Sequence, residues 1–251
     1  MSMTLYPLGV GDAFAGKHYS TALALEAEGR WLLIDCPHPI RKMMLESAAP
    51  IDVGHLDGVV LTHLHGDHVS GLEGLAFFDH FLLRRRTVLA THPRVAADLW
   101  DRHYAATMAD IIAADGTRQP PRGFEDYFDH RPLTPKAPLQ IGPFTIECRP
   151  TRHHIYTTAV RVTAGGVTLA YSADTAYDPA LIDWLDAADR IVHEVNYGGA
   201  HTPYEKLVAL PQRLQDKMWL VQYSDLFDPD ASTIEALREG RVYPVEPAAA
   251  G

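Results

Sequence analysis

Residues 61–72 read LTHLHGDHVSGL, so His63, His65, Asp67 and His68 fall within six positions at the end of the apolar run LDGVVL. Imidazole and carboxylate together suit Zn, Mn or Fe, and an array carrying both at a strand end can hold two ions. Side chains of an extended segment repeat every second residue, which puts His63 and His65 on one side. Gly66 is expected to let the chain turn sharply and bring Asp67 and His68 to the same cavity from the other side. A lone histidine would read as a polar loop residue. Several ligand types this close together read as a metal site.

The pattern around this stretch alternates strands and helices. MTLYPLGV, STALALEA and RWLLIDC are expected strands, HPIRKMMLESA is helical, and LDGVVLTH is a buried strand followed by a helix from about Ser70 to Asp79. TVLATH is a strand, and the long segment from Pro93 to Ala114 reads as helix, with proline in its first turn. Residues 115–138 are loop-like and form the segment most suited to a lid or substrate loop. The second half repeats the scheme. FTIECRP, TTAVRVTA, VTLAYSA, RIVHEV and MWLVQYS are strands, DPALIDWLDAA is helical, and PYEKLVALPQRLQDK is a helix that must bend at Pro211. Strands followed by helices, twice over, predict two packed sheets with helices outside. No Gly/Ser-rich linker divides the 251 residues, so a single domain is expected.

Composition narrows the function. The formal net charge is −10, and the basic run is Arg84 to Arg86, which could hold one phosphate group but reads first as a solvated helix end. A protein that grips duplex nucleic acid or tRNA shows a basic face, because phosphate neutralisation supplies most of its affinity. The charge therefore points to a small-molecule substrate. The N-terminal stretch has no basic leader and no run approaches the ~18 apolar residues of a membrane span. The two cysteines, Cys36 and Cys148, sit in apolar strand-like runs and read as buried thiols of a reducing compartment, the cytoplasm.

The stretch at 63–68 resembles the H-x-H-x-D-H signature of the metallo-β-lactamase superfamily, and the resemblance extends over nearly the whole chain. It implies a four-layer αββα sandwich with two metal positions. Asp35 in LLIDC looks like the aspartate that supports the ligand loop, and Asp174 in LAYSADT like the carboxylate shared by two ions. The histidine between them should come from RPTRHHIYTTAVRV. The family's spacing to the next strand selects His153, with His154 as the fallback. VHEVN and AHTPYEKL look like segments of the ribonuclease Z and phosphodiesterase branch, in which Glu194 would orient His201 and His201 would assist the leaving oxygen. His153 and Asp174 are 21 residues apart, which leaves room for one hairpin and none for a tRNA-binding arm. That spacing resembles the small cyclic-phosphate phosphodiesterases.

One position departs from the pattern. Where the superfamily has its last histidine ligand, LVQYS places Gln222, whose neutral amide oxygen is a poorer ligand for Zn. The resemblance thus implies His63, His65 and His153 around one ion, and Asp67, His68 and the bridging Asp174 around a second that Gln222 completes weakly. Zn is expected, with Mn or Fe as alternatives. The implied chemistry is hydrolysis of a small phosphodiester or cyclic phosphate by metal-activated water that Asp67 orients or deprotonates. Hydrolysis of a lactone, thioester or amide on the same site stays open, as do a non-catalytic metal-holding accessory role and a homodimer.

Overall fold

The computed structural model describes residues 3–247, in two sheets. The first half of the chain contributes β1 (Met3–Gly9), β2 (Ala22–Ala27), β3 (Arg30–Ile34), β4 (Leu56–Val60), β5 (Thr87–Thr91) and β6 (Phe128–Pro132). The second contributes β7 (Leu139–Ile141), β8 (Phe144–Pro150), β9 (Thr158–Ala164), β10 (Val167–Tyr171), β11 (Arg190–Glu194), β12 (Met218–Val221) and β13 (Tyr243–Val245). The strand orders are β13-β1-β2-β3-β4-β5-β6 and β12-β11-β10-β9-β8-β7, so the last strand crosses back to the edge of the first sheet.

Period-two alternation explains the layers. In β3, Leu32 and Ile34 join the core between the sheets, while Trp31 and Leu33 face the helices Ile40–Glu46 and Leu72–Phe77 on the outside. In β2, Leu23 and Leu25 face inward and Ala22 and Ala24 outward. The second sheet is covered by Pro179–Leu185, whose Leu181, Ile182 and Leu185 are buried on it. This is the αββα sandwich.

The strand arrangement also places the chemistry. Strands β3, β4 and β5 run parallel to one another, as do β10, β11 and β12, so each set presents its C-terminal ends together. Asp35, His63, Asp174, Glu194 and Gln222 all lie one to three residues at or beyond such an end. The sheets are stitched beside that rim by Thr158 N–H donating to the Thr62 carbonyl at 3.2 Å.

Several expected boundaries move. The segment 115–138 is not all loop: it forms the short helix Phe124–Tyr127 and then β6, paired parallel to β5 from Thr87–Phe128 to Thr91–Pro132. Long-range pairing decides this, and Pro132 is tolerated because β6 is an edge strand. The segment lines a groove with Trp100 and Arg86 to which none of His63, His65, His68 and His153 contributes. The helix expected from 93 breaks into Pro93–Leu99, a π-helical turn Trp100–Tyr104 and Ala105–Met108, and ends there. The helix expected to reach Asp79 runs Leu72–Phe77 and continues as π-helix Phe78–Leu83. Pro211 does not bend one helix but separates two, Tyr204–Val208 and Gln212–Gln215. No helix among the described residues is long and apolar enough to cross a membrane.

Candidate metal centre

His63, His65, His153 and Asp174 each turn one ligand atom into a common space, with all four atoms within 4.8 Å of one another. Asp67, His68 and Asp174 form a second such group, and Asp174, Glu194 and His201 a third. Asp174 belongs to all of them. His154, next to His153, does not join; it lines the cleft above. The two histidines diverge in a bend at residues 152–155, before β9 begins.

Hydrogen bonds behind the rings fix which nitrogen faces inward. Asp35 is fully buried and accepts from Thr62 N–H and Thr62 Oγ1, each at 2.9 Å. Because the Thr62 hydroxyl donates to Asp35, it accepts from His63 Nδ1 at 2.9 Å, which leaves His63 Nε2 as a bare lone pair. That nitrogen is buried, has no hydrogen-bond partner and lies 3.8 Å from Asp174 Oδ2. His153 Nδ1 donates to the Ala200 carbonyl at 3.0 Å, so its Nε2 faces inward, 3.0 Å from His65 Nδ1 and 3.6 Å from Asp174 Oδ2. Such outer bonds orient metal-binding imidazoles and raise their basicity. Sequence reasoning passed over both partners. Thr62 was visible inside LTHLH, but the Ala200 carbonyl carries no sequence signal.

Electrostatics divide the cluster. Burial lowers the pKa of His63 far below the ordinary histidine range, reinforced by the neighbouring histidines, and burial lowers His65 and His153 as well. Neutral imidazoles are the form that binds a metal. His68 goes the other way. Burial opposes its charge, but Asp174 and Asp35 more than offset that and raise its pKa well above the ordinary value. Its Nδ1 donates to Asp35 Oδ2 at 2.9 Å, and its Nε2 lies 3.3 Å from Asp67 and 3.4 Å from Asp174. Gln222 Nε2 donates to Asp67 Oδ2 at 2.8 Å and lies 3.1 Å from His68 Nε2, while its buried Oε1 has no partner. A half-turn of that amide would bring its oxygen toward Asp67 and His68.

The backbone is strained at the same place. Asp35 (φ 60°), Ala173 (φ 48°) and Gln222 (φ 62°) adopt left-handed conformations that cost non-glycine residues about 1–3 kcal/mol each. All three adjoin or belong to the cluster. Gly66 is different from expectation: its φ is not positive and a Cβ there would meet nothing within 4 Å. The turn that presents Asp67 and His68 is instead the short helix Gly66–Val69, entered through extended His65.

Beyond Asp174, Glu194 Oε1 accepts from Thr175 N–H at 2.7 Å and from His201 Nδ1 at 3.1 Å. Burial pushes the Glu194 carboxyl up to about 7, against the pull of His201. Burial lowers the His201 pKa, but the bond and charge of Glu194 outweigh it and leave it raised. With Nδ1 committed to Glu194, His201 offers its Nε2 to the cleft it lines.

The basic run expected at a helix end is one: Arg84 ends the π-helix in left-handed conformation, Arg85 bonds Asp79 at 2.7 Å and the Val53 carbonyl at 2.8 Å, and Arg86 reaches the Glu125 carbonyl. Both cysteines are free and buried.

Comparison with known proteins agrees with this architecture. A family model described as "Anti-Pycsar protein Apyc1" matches residues 3–243. A relative of that name from Saccharibacillus brassicae is 32% identical, over 97% of this chain and 100% of its own. Among solved structures, the metallo-β-lactamase fold protein YhfI from Bacillus subtilis superposes with a TM-score of 0.74 at 20% identity, covering 97% of this chain and 100% of YhfI. A diphosphatase of the PhnP family superposes at 0.75 and 15% identity, over 98% and 99%. The fold is that of the metallo-β-lactamases.

Proposed function

This chain belongs to the anti-Pycsar protein Apyc1 family, and on that premise we propose that it is a metal-dependent hydrolase of a small phosphodiester or cyclic phosphate, cyclic nucleotides included. The observation that carries the reading is the convergence of three imidazoles and one carboxylate on a single space, with His63 Nε2 buried and without a hydrogen bond and Asp174 Oδ1 facing only His68 Nε2, at 3.4 Å. Buried polar atoms are normally satisfied, and a divalent cation would satisfy these. In this reading His63, His65, His153 and Asp174 hold one ion. Asp67, His68 and Asp174 hold a second, which Gln222 completes weakly. Imidazole-rich ligands favour Zn, with Mn or Fe as alternatives.

A bound cation would supply charge to a phosphoryl oxygen and lower the pKa of water toward about 7. The protein's own groups do the rest. The Asp67 carboxyl is buried, yet His68 and the Gln222 amide hold its pKa below the ordinary range, so it stays ionised and suits orienting a water by accepting its proton in a hydrogen bond. His201 is held by Glu194 with Nε2 toward the cleft, placed to give a proton to the departing oxygen. The absence of any lysine or arginine among the residues lining the cleft over the histidines fits a small substrate and not a gripped nucleic acid.

The test is elemental analysis joined to a screen with bis-p-nitrophenyl phosphate, cyclic nucleotides, and a panel of lactones, thioesters and amides. Turnover of the diesters, lost in His63→Ala, is expected. Turnover confined to the carbonyl substrates would reassign the reaction, with His201 polarising a carbonyl. Metal without turnover of either group would leave a metal-holding accessory role.

A further inference from the structure

Residues 8–14 read LGVGDAF, and the loop they open, between β1 and β2, supplies none of the metal ligands. It is nonetheless tightly seated. A Cβ on Gly11 would stand 2.6 Å from the Ala15 Cβ and 2.9 Å from the His18 Cβ, so only glycine lets the loop fold on itself there. Gly11 N–H donates to the Tyr19 carbonyl at 2.8 Å. Gly16 and Lys17 N–H donate to the two Asp225 carboxylate oxygens at 2.9 and 3.1 Å. Asp12 N–H reaches the Tyr223 carbonyl, next to Gln222, at 3.2 Å.

This fixed loop holds out one buried carboxylate. Asp12 is buried at the wall of the cleft over the histidines. Its Oδ1 accepts from Phe14 N–H at 3.0 Å, and its Oδ2 accepts from Asn196 Nδ2 at 3.0 Å. Asn196 is 184 residues away in the chain and begins the turn that follows β11. That turn has little of its own to hold it. Residues 197–199 are exposed, and Gly198, with φ 92°, is followed by a second glycine. Asn196 N–H donates to the Thr202 carbonyl at 3.1 Å, and Asn196 Oδ1 accepts from Tyr197 N–H at 2.8 Å. Asn196 thus closes the turn with its backbone and ties it to the β1–β2 loop with its side chain.

The turn carries His201, and also Ala200, whose carbonyl orients His153. Glu194 fixes one nitrogen of the His201 ring, at 3.1 Å. A single bond at Nδ1 lets the ring pivot, so the position of Nε2 over the cleft depends on where the backbone of the turn stands.

We propose that Asp12 is a positioning residue: through Asn196 it anchors the turn 196–202 and so holds His201 Nε2 at the leaving oxygen. The inference rests on the phosphodiester reading. There the water oxygen bonds to phosphorus as the bond to the leaving oxygen breaks, and His201 Nε2 gives that oxygen a proton. A displacement of about 1 Å in such a group costs a rate factor of about 100.

The Asp12–Asn196 bond can be broken and remade. Asp12→Asn sets an amide N–H against either the Asn196 amide or Phe14 N–H, so one bond is lost. Asn196→Asp brings two carboxylates together. The double variant exchanges donor and acceptor, and every bond is again possible. In the metal-loaded full-length protein, each single variant should lower kcat for a 3′,5′-cyclic nucleotide, whose leaving group is an alkoxide, by about tenfold or more. Bis-p-nitrophenyl phosphate releases a nitrophenolate that leaves without a proton, so its kcat should fall by less than about threefold. The double variant should regain most of the loss, with the metal content of the natural protein throughout. Equal losses on both substrates, no recovery in the double variant, or metal lost from the single variants would overturn the proposal. Should the single variants fail to fold, the double variant decides by keeping or losing turnover of the cyclic nucleotide. Hydrogen exchange over residues 195–202, read by mass spectrometry, separates the two readings if neither diester is hydrolysed. Faster exchange in the single variants, restored in the double, keeps the anchor and sinks the phosphodiesterase reading; unchanged exchange sinks the anchor.

Discussion

The two groups of ligands that share Asp174 are built differently. His63, His65 and His153 have pKa values lowered by burial, and two of their rings are fixed from behind by Thr62 and the Ala200 carbonyl. On the other side, His68 is already bonded to Asp35 and raised in pKa by Asp35 and Asp174, and Gln222 gives an N–H to Asp67. The first group leaves a buried nitrogen without a hydrogen bond, whereas in the second an amide N–H already faces Asp67. Gln222 accounts for the amide, and Asp35 with Asp174 for the raised pKa of His68.

The largest effect should come from the first group. His63→Ala or His65→Ala should cut turnover by more than about 100-fold and strip the tightly held metal, read by kinetics and elemental analysis. Near-natural turnover with full metal would dissolve the distinction. His153→Ala should match them, whereas His154→Ala should stay within about tenfold of the natural protein. The reverse ranking would place the wrong histidine in the cluster. Next comes the proton donor. His201→Ala should lower kcat by about 100-fold or more while the metal content stays that of the natural protein. Loss of metal in that variant would make His201 a ligand instead.

Much of this was legible in the residues. Strands followed by helices, twice over, predicted the two packed sheets, and the spacing H-x-H-x-D-H marked the loop whose side chains the fold brings together. Strands β6, β7 and β13 were not seen, because three to five residues pair only when a distant strand is there to receive them. Gln222 was visible as a departure, but not its bonds to Asp67 and His68, which span more than 150 residues. Thr62 and Ala200 act through a hydroxyl and a carbonyl, groups that nearly every segment offers.

Asp35 underlies both groups, through Thr62 to His63 and directly to His68, so it tests their common support. Asp35→Ala should destabilise folding by about 3–5 kcal/mol, read by urea denaturation, because His68 is left buried without its partner. A change below about 1 kcal/mol would mean that the network is not the foundation of the cluster.

The smallest and most telling change is at Gln222 itself. Elemental analysis after exhaustive chelator-free dialysis should find clearly fewer than two ions per chain in the natural protein, with activity recovered on adding Zn or Mn. Gln222→His should carry the count toward two, through about a 10–100-fold gain in affinity for the second ion. Two ions held through dialysis by the natural protein would contradict the account, for the two sides of Asp174 would then be equal.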